Sequence, residues 1–148
     1  MQKNPIISTD FYSLCSNTFA SDKAKELSVY NYTNRYSPKK AWTEYDLAYD
    51  SRMTMYGLNF FIQEELSTKI TKEHLEETVD YVNRSHSFGG PLPFDANLWK
   101  KVINECGGYL PIKIKAIPEG STFFPTEPII QVMNTNLGFG ELAAHIEA

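Results

Sequence analysis

A glycine pair, a strictly alternating run and a proline–glycine turn follow one another in Gly107–Gly120, and few folds accommodate that order. Gly107 and Gly108 are expected to stop a helix, because glycine enters the left-handed region without a Cβ penalty. Ile112, Ile114 and Ala116 alternate with Lys113 and Lys115, the pattern of a strand with one buried face and one wet face. Pro118 and Gly120 then end the strand in a turn, since proline donates no ladder hydrogen bond. The stretch frames a fold and names no chemistry. On pattern, the two lysines are the wet face of the strand rather than an anion site. Glu119 reads as a turn residue rather than a general acid.

The rest of the chain supplies the elements around this frame. In Thr9–Cys15, Thr9 or Asp10 can cap a helix whose Phe11, Leu14 and Cys15 face inward, leaving Tyr12 off the core stripe. Ala20–Leu27 is charged and reads as a connection, and Val29–Thr33 as a strand followed by a basic loop over Asn34–Lys40. A helix is expected from Tyr45 or Ser51 to Leu66, with Gly57 allowing close packing. Another starts near Thr71, with Leu75, Val79 and Val82 inward and His74 on a solvated face. Ser85–Pro93 reads as a loop. Asp95 caps a helix striped by Leu98, Trp99, Val102, Ile103 and Cys106. Ile129–Met133 is expected as a strand with Ile130 and Val132 inward, or with both faces buried, and Leu137–Ala148 as an amphipathic helix. The mixture lacks regular βαβ alternation, which predicts one α+β domain spanning 1–148.

Composition narrows the function classes. A net charge of −4 gives no footprint for nucleic acid. No apolar run approaches the roughly 18 residues that span a bilayer, and no secretory signal is visible, so a cytoplasmic protein is expected. The two cysteines, Cys15 and Cys106, are too few and too far apart for a zinc site or a disulfide scaffold. Both read as reduced, packed thiols. There is no P-loop, no nucleophile elbow and no zinc-protease motif. His74, His86 and His145 are scattered. Asp10, Tyr12 and Arg35 read on pattern alone as an N-cap, an exposed aromatic and a loop charge.

A set of motifs in order goes further. Thr9-Asp10-Phe11-Tyr12, Val29-Tyr30-Asn31-Tyr32 before a basic loop, Tyr56-Gly57-Leu58-Asn59-Phe60, and Gly90-Pro91-Leu92-Pro93-Phe94 before Trp99 lead into the Gly107–Gly120 block. Together they resemble the N-terminal portion of the nicotinamide phosphoribosyltransferase family, over nearly the whole chain. Thr-Asp-x-Tyr is shared with nicotinate phosphoribosyltransferases, and Phe124-Pro125-Thr126-Glu127-Pro128 looks more like those enzymes. The resemblance implies a type II phosphoribosyltransferase of NAD salvage. Such an enzyme joins a pyridine base to phosphoribosyl pyrophosphate, with Mg²⁺, as a homodimer whose active sites are shared between subunits. It implies that Tyr12 stacks on the pyridine ring from the neighbouring subunit and that Asp10 accepts the carboxamide N–H. It also implies that Arg35 helps hold phosphate, with Lys39 and Lys40 as stand-ins.

The same resemblance sets a limit. The family's α/β barrel follows this segment and carries the phosphoribosyl pyrophosphate loop and the catalytic acids, and nothing in the 148 residues supplies it. The expectation is therefore a cut fragment, half of a split enzyme, or a free-standing relative that is inactive alone and binds no metal by itself. The alternatives are a nicotinate phosphoribosyltransferase fragment and a non-catalytic module that pairs with a full-length enzyme. A domain made to pack on a barrel should expose apolar surface and self-associate, with Leu137, Leu142, Ala143 and Ile146 contributing.

Overall fold

The computed structural model describes residues 3–16, 19–34, 52–85 and 93–147. Its elements in chain order are α1 (Ser13–Ser16), α2 (Asp22–Glu26), β1 (Val29–Thr33), β2 (Met53–Thr54) and α3 (Leu58–Phe61), which continues as a π-helical turn over Ile62–Leu66. There follow α4 (Lys72–Arg84), α5 (Ala96–Glu105), β3 (Ile112–Ala116), β4 (Thr122–Phe123), β5 (Pro128–Asn134) and α6 (Glu141–Glu147). The fold is α+β, with antiparallel strands and no closed barrel among the described residues.

The sheet is built on β5, which lies between β1 and β3. Tyr30 pairs with Val132 on one side, and Ile114 pairs with the same residue on the other. Val132 and Ile129 are both buried. These residues lie at odd separation on a strand, so they point to opposite faces, and both faces of β5 are covered. In β3, Ile112 and Ile114 are half-buried and Lys113 and Lys115 exposed, as the alternation requires, while Ala116 is exposed at the strand end. Pro118–Ser121 closes as a turn, with Ser121 N donating to the Pro118 carbonyl and Gly120 at φ 84°. Asn59 N donates to Glu119 Oε1 at 2.7 Å, so Glu119 serves the start of α3.

The main core lies where α4, α5, α6 and the N-terminal segment meet. It joins Ile6, Leu14, Ile70, Leu75, Val82, Leu98, Trp99, Val102, Phe139 and Leu142. Asp95 Oδ1 accepts from Asn97 N and Leu98 N, which caps α5 as its sequence predicts. Past the end of α5, Gly107 (φ 64°) and Gly108 (φ 87°) reverse the chain. A Cβ on Gly108 would sit 2.4 Å from the Ile70 carbonyl oxygen, so this glycine is required by space as well as by φ. A second, smaller cluster packs Met55, Phe123 and Ile129 under the two-stranded β2–β4 ribbon.

Several expectations need correction. The connection over Ala20–Leu27 contains a helix, α2, because Ser21 Oγ accepts from Ala24 N and supplies the cap. The expected helix to Leu66 starts only at Leu58; Met53–Thr54 is a strand, since β4 offers it a partner. Residues 35–51, on which the earlier part of that helix and most of the basic loop fall, lie outside the described residues. Gly57 is needed for its φ of 92°, not for packing, because a Cβ there would meet nothing within 4 Å. His74 is buried rather than solvated: its Nδ1 accepts from Thr71 N, its own N–H donates to Thr71 Oγ1, and the reciprocal pair caps α4. Leu142 and Ala143 are fully buried, because α6 turns its apolar side against β5, β1 and α1; only Leu137 near this helix is largely exposed. The most exposed aromatics lie elsewhere, at Phe19, Tyr56 and Phe60.

Candidate functional site

The turn that carries Asp10 and Tyr12 is built from buried residues on both sides of it. Upstream, Asn4 is buried, and its Nδ2 spreads over the His74 carbonyl at 2.8 Å, Glu77 Oε2 at 3.0 Å and Thr78 Oγ1 at 3.2 Å. Its Oδ1 accepts from Ile6 N, and its carbonyl accepts from Ser8 Oγ and Ile7 N. Ile6 is fully buried in the main core. Downstream, Ser13, Leu14 and Cys15 are buried. The amides of Ser13, Leu14 and Cys15 donate to the carbonyls of Asp10, Phe11 and Tyr12, so the turn runs directly into α1.

Between these anchors the side chains split. Phe11 leans on the fold, its ring edge-on to Tyr81 with centroids 5.8 Å apart. Asp10 is exposed, and Tyr12 is 64% exposed. Thr9 does not cap α1. Its hydroxyl donates instead to the His145 carbonyl at 3.0 Å. The outcome is a stiff main chain presenting a carboxylate and a phenol ring two residues apart to the outside. Such a pair can stack on a flat ring and accept a hydrogen bond, provided another surface closes over it.

Behind the turn sits His145. It is buried against the edge of Trp99, with ring centroids 4.9 Å apart. Its imidazole donates to the main chain of Pro5, which as a proline has only a carbonyl to offer. Burial drives its pKa down to about 4, outweighing the Pro5 bond that favours the charged form. Glu141, one turn earlier on α6, is also buried, and Oε1 finds no partner among the described residues. Burial raises its pKa and nearby Asp95 adds to the rise, against the opposing pull of Lys25 and Lys101. Ser13, Asp95, Trp99, Glu141 and His145 line a void of about 10 Å³, barely room for one water. Cys15 and Cys106 form no disulfide among the described residues, and burial raises both above the ordinary cysteine value, which suppresses thiolate chemistry.

The structure thus brings Asp10 and Tyr12 together on one exposed turn. Arg35, Lys39 and Lys40 lie outside the described residues; Arg35 follows Asn34, whose carbonyl accepts from Thr126 N. Asn4 and His145, which hold the turn, went unmarked in the sequence. The Asn4-Pro5 pair is a turn signal that could have drawn attention to the first. Nothing local marks the second. No family model matches the chain. No helix among the described residues is long and apolar enough to cross a membrane.

Proposed function

We propose that this chain is the N-terminal part of a nicotinamide phosphoribosyltransferase of NAD salvage, lending Asp10 and Tyr12 to a pyridine-base site that a second subunit completes. The observation that carries this reading is the mounting of Tyr12: the ring is exposed while its main chain is pinned by buried residues on both sides. An aromatic that served only packing would gain from being covered. An electron-poor pyridine ring gains from its face by about 0.5–1.5 kcal/mol. Asp10 accepts the carboxamide N–H of nicotinamide and repels the carboxylate of nicotinate.

In the transfer, the ring nitrogen's lone pair forms the bond to the anomeric carbon as the bond to pyrophosphate breaks. The ribosyl centre becomes cationic on the way, so positioning of the base and electrostatic stabilisation supply most of the catalysis. Asp10 and Tyr12 do the positioning. Arg35 is proposed to steady a phosphate. Mg²⁺ would serve the pyrophosphate in the complete enzyme; the described residues hold no group of three or more His, Cys, Asp or Glu fit to ligate a metal.

The test uses the complete enzyme, this chain joined to its barrel portion. Tyr12→Ala is expected to raise the KM for the base about fivefold, the low end of what aromatic stacking of bases is worth. Tyr12→Phe keeps the face and should stay close to wild type. Equal KM values for the alanine variant and wild type would overturn the proposal.

A further inference from the structure

We infer that Thr9 and His145 are positioning residues for the base site, holding the Asp10–Tyr12 turn at the angle from which it meets the ring; the inference rests on the base-site reading above. His145 touches the N-terminal segment at both ends. Its imidazole reaches the Pro5 carbonyl, and its main-chain carbonyl accepts the Thr9 hydroxyl at 3.0 Å. Between those two points the segment closes on itself, with Thr9 N donating to the Ile7 carbonyl at 2.8 Å. Asp10 is the next residue along.

The other anchors tie the turn to other elements, with Phe11 edge-on to Tyr81 of α4 and Leu14 in the main core. Asn4 pins the segment to α4, six residues before Asp10. The amide bonds of Ser13, Leu14 and Cys15 tie the turn to α1, a helix of only four residues. The hydroxyl of Thr9 is a side-chain tie between the turn and α6, and α6 packs on the sheet through β5 and β1. Registration of Tyr12 against α6 and the sheet therefore draws on Thr9 and His145, beside the Phe11–Tyr81 contact with α4. Small displacements of a positioning group are costly, because the reacting geometry tolerates little error.

The chemistry of the tie dictates the variants. Thr9→Val keeps shape and β-branching and removes the donor. Thr9→Ser keeps the donor. His145→Phe keeps a ring against Trp99 and removes the bond to Pro5. In the complete enzyme, Thr9→Val and His145→Phe are each expected to raise the KM for the pyridine base about threefold to fivefold. The KM for phosphoribosyl pyrophosphate should stay within about twofold of wild type, and Thr9→Ser should restore the base KM to the same margin. Melting curves accompany each variant, with Tyr12→Ala measured alongside. If Thr9→Val and His145→Phe lower the melting temperature but leave the base KM unchanged while Tyr12→Ala raises it, the tie is structural only and the inference is wrong. If Tyr12→Ala also leaves the base KM unchanged, the base-site reading has failed and the positioning role falls with it.

Discussion

Acid should unfold this domain early, and His145 is the reason. A buried imidazole with a pKa of about 4, against 6.5 in the unfolded chain, stays neutral in the fold while the unfolded chain takes up a proton. The unfolded state binds more protons between those two values, so stability falls as pH drops through that window. It is fully present above the unfolded pKa and lost by the folded one. Complete loss corresponds to roughly 3 kcal/mol. Between about pH 7 and about pH 5 the loss is about 2 kcal/mol. For a chain of 148 residues that lowers the melting temperature by about 6 °C. Glu141 acts in the opposite sense: its raised pKa makes the fold the better proton binder, so its contribution grows as pH falls. The two are separated by comparing wild type with His145→Phe, which removes one titration and leaves the other. Thermal melts followed by circular dichroism across this pH range give the measurement. The variant starts lower, because the Pro5 carbonyl loses its donor, but its curve should be flatter by about 6 °C over the interval. Parallel curves for the two proteins would refute the assignment.

Other outcomes follow from single contacts. Gly108→Ala places a Cβ against the Ile70 carbonyl in the left-handed region and should cost about 3 kcal/mol in a denaturant titration. Gly107→Asn meets open space at φ 64° and should cost well under half of that, about 1 kcal/mol or less. Asn4→Ala strips the buried Ile6 N–H of its acceptor and the Thr78 hydroxyl of a donor, while Thr78 still donates to the His74 carbonyl, and should lower stability by about 2 kcal/mol. The 148 residues incubated with nicotinamide, phosphoribosyl pyrophosphate and Mg²⁺ are expected to form no mononucleotide above the uncatalysed rate; turnover free of contaminating enzyme would contradict the division of labour proposed here.

The sequence disclosed those elements whose signals are local. Asp95 announces α5 because a cap and a helical stripe adjoin it, and Lys113 and Lys115 announce β3 because alternation survives burial on one face. β1 was legible over Val29–Thr33 for the same reason. β2 was not: two residues of strand have no periodicity, and Met53–Thr54 is extended only because Thr122–Phe123 lies beside it. His74 misled because its neighbours are charged, while its role depends on Thr71 three residues earlier and on Asn4 far away in the chain. The fate of α6 was equally non-local. Its apolar residues advertised exposed surface, whereas Leu142 and Ala143 are buried, with α6 packed on β5, β1, α1 and α2 of the same chain. At the site, exposure of Tyr12 was readable from helical spacing. The tie from Thr9 to His145 joins residues 136 apart and leaves no trace in local pattern.

Whether Asp10 and Tyr12 read the base is decided by Asp10→Asn. Nicotinamide and nicotinate are measured side by side as kcat/KM in the complete enzyme, with melting curves on the same samples. The account predicts that nicotinamide loses more than nicotinate, because a charged acceptor for the carboxamide is gone and a carboxylate no longer meets repulsion. The preference should narrow or invert. If Asp10 only steadies the start of α1, the substitution changes the melting temperature alone. Unchanged kcat/KM for both bases would contradict the account.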